Sequence, residues 1–150
     1  MQPGMFSVHD NWFGDCPVER KALGRHIRTL ATLPQADAPV ISCYFNIQSG
    51  LLTESVRFLE QVTTLRSCLE DRWRLSFDEA NRKIRNYLSV EASPLIKGLA
   101  VFARSGSSPF MTSLGFRVPL PHWILAGPTP NIYHLVELEY AFTRYVLVEQ

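Results

Sequence analysis

The chain has 150 residues, of which 46% are hydrophobic and 19% charged, and its formal net charge is +1. A chain of this length suits a single domain whose core buries roughly 70% of the unfolded surface, and the composition excludes a disordered tail. The near-zero balance of charge excludes a global field toward nucleic acid or membrane, so any nucleic-acid contact has to come from a local patch.

The first residues, Met1-Gln2-Pro3-Gly4-Met5, carry no basic segment followed by an apolar run, so no secretory signal is expected. No stretch approaches the ~20 apolar residues of a membrane helix. Cys16, Cys43 and Cys68 are odd in number, widely separated and without a CxxC pair, which predicts reduced thiols in a cytoplasmic protein and no zinc site.

Residues 1–14 read as an irregular segment, although Met5, Phe6, Trp12 and Phe13 are too apolar for a free tail. Asp15 as N-cap and Pro17 in the first turn predict a helix with Val18, Leu23, Ile27 and Leu30 on its apolar face, ended by Pro34. Gln35 to Pro39 is a linker. Val40 to Ile47 is the clearest strand: Ile41, Cys43, Phe45 and Ile47 point one way, and Val40, Ser42, Tyr44 and Asn46 the other. Ser49-Gly50 breaks it. A long helix is predicted over Leu52 to Glu70, with Leu52, Val56, Leu59, Val62, Leu65 and Leu69 as its stripe and Glu54, Arg57, Glu60, Gln61 and Arg66 on its wet side.

Ser76 and Glu79 match a capping box and predict a second helix over Phe77 to Val90, with Phe77, Ala80, Ile84, Tyr87 and Leu88 inward. The short connection Asp71-Arg72-Trp73-Arg74-Leu75 makes the two helices an antiparallel hairpin. Gly98 to Ala103 reads as a central strand buried on both faces, and Ser105 to Pro109 as a turn. Phe110 to Val118 reads as a strand with Phe110, Thr112, Leu114, Phe116 and Val118 on one face, and His122 to Ala126 as a short strand. Asn131 to Tyr140 reads as a helix with Ile132, Leu135, Val136 and Leu138 as its apolar positions, and Tyr145 to Val148 as a last strand. The order predicts an α+β fold: a mixed, mostly antiparallel sheet of four to five strands covered by helices, including a long helical hairpin.

No catalytic constellation is visible. His9, His26, His122 and His134 are scattered and suit structural or surface roles, and there is no G-x-S-x-G elbow. The loop Arg104-Ser105-Gly106-Ser107-Ser108 has a single glycine and leads into a strand, so it reads as a turn beside an arginine rather than a phosphate loop. Glu137 and Glu139 fall on different helix faces and do not form an acid–base pair. The expectation is therefore no enzyme, no catalytic residue, no metal and no cofactor.

The hairpin carries the most suggestive group. Arg66, Arg72, Arg74, Arg82, Lys83 and Arg85 cluster around Trp73. Cations neutralise phosphates, and an exposed indole stacks on an unpaired base, so these residues are the candidates for RNA contact. The alternative is a solvated helix face, partly cancelled by Asp71, Asp78 and Glu79, with Trp73 folded onto the core.

Several segments resemble the bacterial release-factor-like family, bacterial relatives of the archaeal and eukaryotic class 1 peptide release factors. Ala38 to Ile47 resembles that family's "pvvSlYldl" strand, Lys97 to Ala103 its "rGlaiFa" strand, Pro130 to Leu138 its "P.l.pLl.l" helix, and Arg144 to Val148 its "ryvvvlv" strand. The resemblance runs from about Ala38 to the end and implies the family's amino-terminal domain, which faces the ribosomal decoding centre; residues 143–149 are where a second domain would begin. It also implies a fragment or a truncated relative, because the GGQ loop for peptide release belongs to that next domain. The decoding NIKS loop would lie at the hairpin tip, where Asp71 to Leu75 stand instead. Asn81-Arg82-Lys83-Ile84 falls inside the second hairpin helix, and no YxCxxxF follows the Gly98 strand. The resulting expectation is a translation-related, ribosome-associated domain that binds ribosomal RNA through the hairpin without reading a codon, with no membrane or DNA partner. The alternative is a protein-interaction or scaffold domain, with the apolar N-terminus available to a homodimer contact.

Overall fold

The computed structural model describes residues 18–47, 56–88 and 95–141. In chain order the elements are α1 (Arg20–Ala31), β1 (Val40–Asn46), α2 (Val56–Cys68), α3 (Asp71–Leu88), β2 (Gly98–Arg104), β3 (Phe110–Phe116), β4 (Trp123–Gly127) and α4 (Tyr133–Ala141). The strands form one sheet in the order β3-β2-β1-β4. Every neighbouring pair is antiparallel, with Val40 of β1 opposite both Arg104 and Gly127. The α+β class expected from the sequence is observed. Residues 1–14 and the strand expected at Tyr145 to Val148 lie outside the described residues.

The period of two along each strand builds three layers. Ile41, Cys43, Phe45, Leu99, Val101 and Ala103 point to one side and meet Phe58, Phe77, Ala80, Ile84 and Tyr87 of α2 and α3. Tyr44, Ala100, Phe102, Leu114 and Phe116 point to the other and meet Leu23, Ile27, Leu30 and Leu135 of α1 and α4. The sheet is thus covered on both faces. This explains why β2 is buried along its whole length and β1 along all but its last residue.

Several boundaries differ from the sequence expectation. Val18 and Glu19 are not helical, so α1 starts later than an Asp15 cap would place it. The Val18 amide donates instead to the Gly115 carbonyl of the edge strand β3 at 2.7 Å. On α2 Phe58 is buried, and Val62 and Leu65, with Leu69 just beyond the helix, are partly buried against the core, whereas Leu59 is 46% exposed. Gln61 leaves the wet side to hydrogen-bond His122 at 2.9 Å.

The largest correction concerns the hairpin. Asp71 to Leu75 is no connection; it is the first part of α3, and the two helices are joined at Leu69 and Glu70. The Trp73 amide donates to the Glu70 carbonyl at 2.9 Å, and acidic Asp71 suits the positive end of the helix. Ser76 and Glu79 are therefore interior to the helix. Glu79 accepts from the Ser105 hydroxyl at 2.9 Å, a tertiary bond in place of the expected cap.

Two glycines are required by geometry. A Cβ on Gly98 would stand 2.3 Å from the Val118 carbonyl oxygen, so the chain leaving β3 can cross this point only over glycine. Gly106, in the β2–β3 turn, has φ +96°.

Candidate nucleic-acid interface

The α2–α3 hairpin brings all six residues expected to meet RNA onto one side of the sheet, but it treats them in two ways. At the tip, every cation has a partner within the chain. Arg66 makes a two-pronged pair with Asp78, at 2.8 and 3.0 Å. Arg72 pairs with Glu70 at 2.8 Å and with Asp37 of the loop before β1. Arg74 pairs with Asp71 at 2.9 Å and donates to the carbonyls of Arg66 and Ser67, each at 3.2 Å. Trp73 is partly buried. Its indole N–H donates to Asp37 at 3.3 Å, and the Arg72 guanidinium lies 5.1 Å from the ring centroid. The ring is therefore not a free stacking platform but part of a clasp between α3 and the Pro34–Pro39 loop.

Arg82 and Lys83 sit farther along α3 and are exposed, as is Arg85. None of the three forms an ion pair with a described residue. Arg82 and Arg85 line an open depression of about 390 Å³ with Asp78, Asn81 and Asn86. All five of its lining residues are polar or charged, unlike a small-molecule pocket. The Asp78 carboxylate in it is engaged by Arg66.

Behind the tip, Arg104 is 4% exposed at the end of β2. It donates to the carbonyls of Ser108 at 2.8 Å and Pro34 at 2.9 Å, and its guanidinium lies 5.2 Å from the Phe110 centroid. Burial lowers its pKa from the ordinary arginine range. The expectation of a plain turn at residues 105–109 holds, and Arg104 ties that turn to the Pro34 loop carrying Asp37.

On the opposite face of the sheet, α1 holds Arg20, Lys21, Arg25 and Arg28 and no acidic residue. No Phe, Trp or Tyr accompanies these cations within α1, unlike the hairpin set around Trp73. Their signal is legible all the same, because Lys21, Arg25 and Arg28 recur at helical spacing, offset by two positions from Leu23, Ile27 and Leu30. His26 lies half-buried beside them; burial first, and the neighbouring Arg25 charge second, lower its pKa below the usual imidazole value.

The described histidines of the second half serve packing. His134 packs edge-on against Tyr44 at 4.8 Å and Trp123 at 4.6 Å, and meets Glu137 at 3.1 Å. Tyr44 donates to the Asn131 carbonyl, and the Asn131 amide donates to Ser42 at 2.9 Å, which fixes the entry into α4. The Cys43 thiol is buried and its pKa pushed up, the reverse of an activated nucleophile. Among the described residues, no three His, Cys, Asp or Glu side chains are grouped to hold a metal ion, and no helix is long and apolar enough to cross a membrane.

No protein-family model and no curated protein sequence matches the chain. Solved structures do. The archaeal translation termination factor aRF1 superimposes with a TM-score of 0.65 at 14% identity, over 82% of this chain and 35% of that one. A second structure, described as an archaeal protein, gives a TM-score of 0.62 at 14% identity, over 83% and 37%. The fold is aRF1-like. The chain spans little more than a third of the length of the structures it matches.

Proposed function

We propose that this chain is a non-catalytic, cytoplasmic module of translation, resembling the amino-terminal domain of a release-factor-like protein, that contacts ribosomal RNA through the α2–α3 hairpin. The observation that carries the reading is the aRF1-like fold, because that neighbour is a translation termination factor. The hairpin supplies a chemically suitable surface. Arg82 and Lys83, with Arg85, are exposed and form no ion pair with a described residue, and phosphate contacts need charge in that state. Arg66, Arg72, Trp73 and Arg74 shape the tip and reach RNA only by exchanging their carboxylate partners for phosphates. The chain has no Gly-Gly-Gln, so the proposed module does not release peptide by that loop.

Ribosome co-sedimentation tests this. Pelleting at low salt that is lost at high salt is the expected result, since the contact is electrostatic. Absence of pelleting at low salt removes the translation reading. It would then favour a protein-interaction module, a second reading supported by the exposed stripe of Tyr133, Val136 and Tyr140 on α4. Light scattering showing a homodimer that Val136→Asp splits would support that second reading.

A further inference from the structure

We infer that the outer face of α1, formed by Lys21, Arg25 and Arg28, is a second RNA-backbone contact, on the side of the sheet opposite the hairpin. The choice of RNA over other polyanions rests on the translation reading above; the existence of the surface does not.

Four observations carry it. First, the three cations form a row: four and three residues of helix separate them, about 6 and about 4.5 Å along the axis. Second, the row is rigidly mounted. Leu23, Ile27 and Leu30, on the other side of the same helix, are all buried in the core beneath it. Third, all three cations are exposed and none forms an ion pair with a described residue. Glu139 of α4 approaches α1 at Gly24, where a Cβ would meet its carboxylate at 2.5 Å, yet no ion pair with Arg28 results.

Fourth, the first-turn charge is placed against the helix's own interest. Arg20 and Lys21 stand in the first turn, whose one neighbouring acid is the N-cap Glu19, although the positive end of the helix dipole disfavours cations there; Arg28, in the last turn, is favourably placed. The first turn of α3 differs, with Asp71 in it as helix stability favours. Helix stability accounts for Arg28 but not for Lys21 at the other end of the row, and that end points to an external anion. The apolar side of α1 is committed to the core, so the helix cannot lay that side into a bilayer, and phosphates in a row are the fitting partner.

The test uses the full chain and a short fluorescein-labelled single-stranded RNA, read by anisotropy between about 50 and about 200 mM salt. Lys21→Gln/Arg25→Gln/Arg28→Gln is compared with a charge-matched triple on the hairpin, Arg82→Gln/Lys83→Gln/Arg85→Gln. The α1 triple is expected to bind on the order of 10-fold more weakly at low salt, with the log–log salt slope reduced by about 2. Circular dichroism checks folding; if the triple unfolds, Lys21→Gln alone should still lower the slope by about 0.7. Wild-type affinity and slope in the α1 triple overturn the inference, as does absence of RNA binding by the unmutated chain. Capture by phosphatidylserine vesicles without RNA binding overturns it in favour of a membrane surface. A loss of RNA binding in the α1 triple, in a protein that never pellets with ribosomes, keeps the inference and sinks the translation reading. Ribosome pelleting with an α1 triple that binds RNA like the wild type does the reverse.

Discussion

Arg66, Arg72 and Arg74 at the hairpin tip and Lys21, Arg25 and Arg28 on α1 are two sets of three cations in opposite layers of the sandwich. The tip set is enclosed by Asp37, Glu70, Asp71 and Asp78, so its charge is spent within the molecule. The α1 set forms no ion pair with a described residue, although the Glu139 carboxylate and the Arg28 guanidinium both approach Gly24. Exposed pairs of this kind add little to stability, but they cancel the field that a distant phosphate would feel. A count of basic residues therefore says less about partners than the answer to which of them remain unpaired after folding.

Four measurements would break or sharpen this contrast. The largest effect should come from the mounts beneath the two cation sets. Leu23→Ala under α1 and Ile84→Ala under α3 remove side chains buried completely, and each should cost about 2–5 kcal/mol in urea unfolding. A much smaller cost for Leu23→Ala would mean that α1 is loosely held and that its cations are not a fixed row. Next comes Arg104→Ala, which leaves the Pro34 and Ser108 carbonyls without their donors and should cost about 1–3 kcal/mol. It should also raise quencher access to Trp73, because the loop bearing Asp37 loses its tie. Unchanged Trp73 quenching would show that the clasp holds independently of that tie.

Asp37→Asn is smaller in stability but sharper in meaning. It removes the acid shared by Arg72 and Trp73 while keeping the side chain's shape. RNA affinity should rise several-fold and the melting temperature should barely move; unchanged affinity would remove the tip from the RNA surface. The smallest effect concerns pH. His26 has a folded-state pKa below its unfolded value of about 6.5, so the native state favours the neutral ring. Its contribution is complete above that unfolded value and is lost as pH falls through the lower, folded one. His26→Gln should flatten this acid-side decline, and Arg25→Gln should raise the His26 pKa in an NMR titration. No movement with Arg25→Gln would contradict an uncompensated positive field on α1.

Much of the fold was legible because it follows from local period. The alternation in β1, the uninterrupted apolar run of β2 and the turn at Ser105 to Pro109 lie where the sequence placed them, since burial on one or both faces dictates those patterns. The hairpin was legible as a pair of helices, but its corner was not. Ser76-x-x-Glu79 satisfies the capping-box pattern, yet Glu79 is used by Ser105, 26 residues away, and the helix starts at Asp71 instead. Likewise the α2 stripe was expected to run through Leu59. Phe58 rather than Leu59 turns inward because the sheet beneath presents Phe45, with the two rings 5.7 Å apart.

The candidate site divides along the same line. The sequence by itself determined which residues carry charge and, through helical spacing, which of them share a face, as with Lys21, Arg25 and Arg28 opposite Leu23, Ile27 and Leu30. Only the tertiary structure decided which charges are neutralised. Asp37 and Arg72 are 35 residues apart, and Arg66 and Asp78 are 12 apart across the hairpin. Ion pairing falls off within a few ångströms, and distances on that scale between remote segments exist only once the sheet has set where each helix lies.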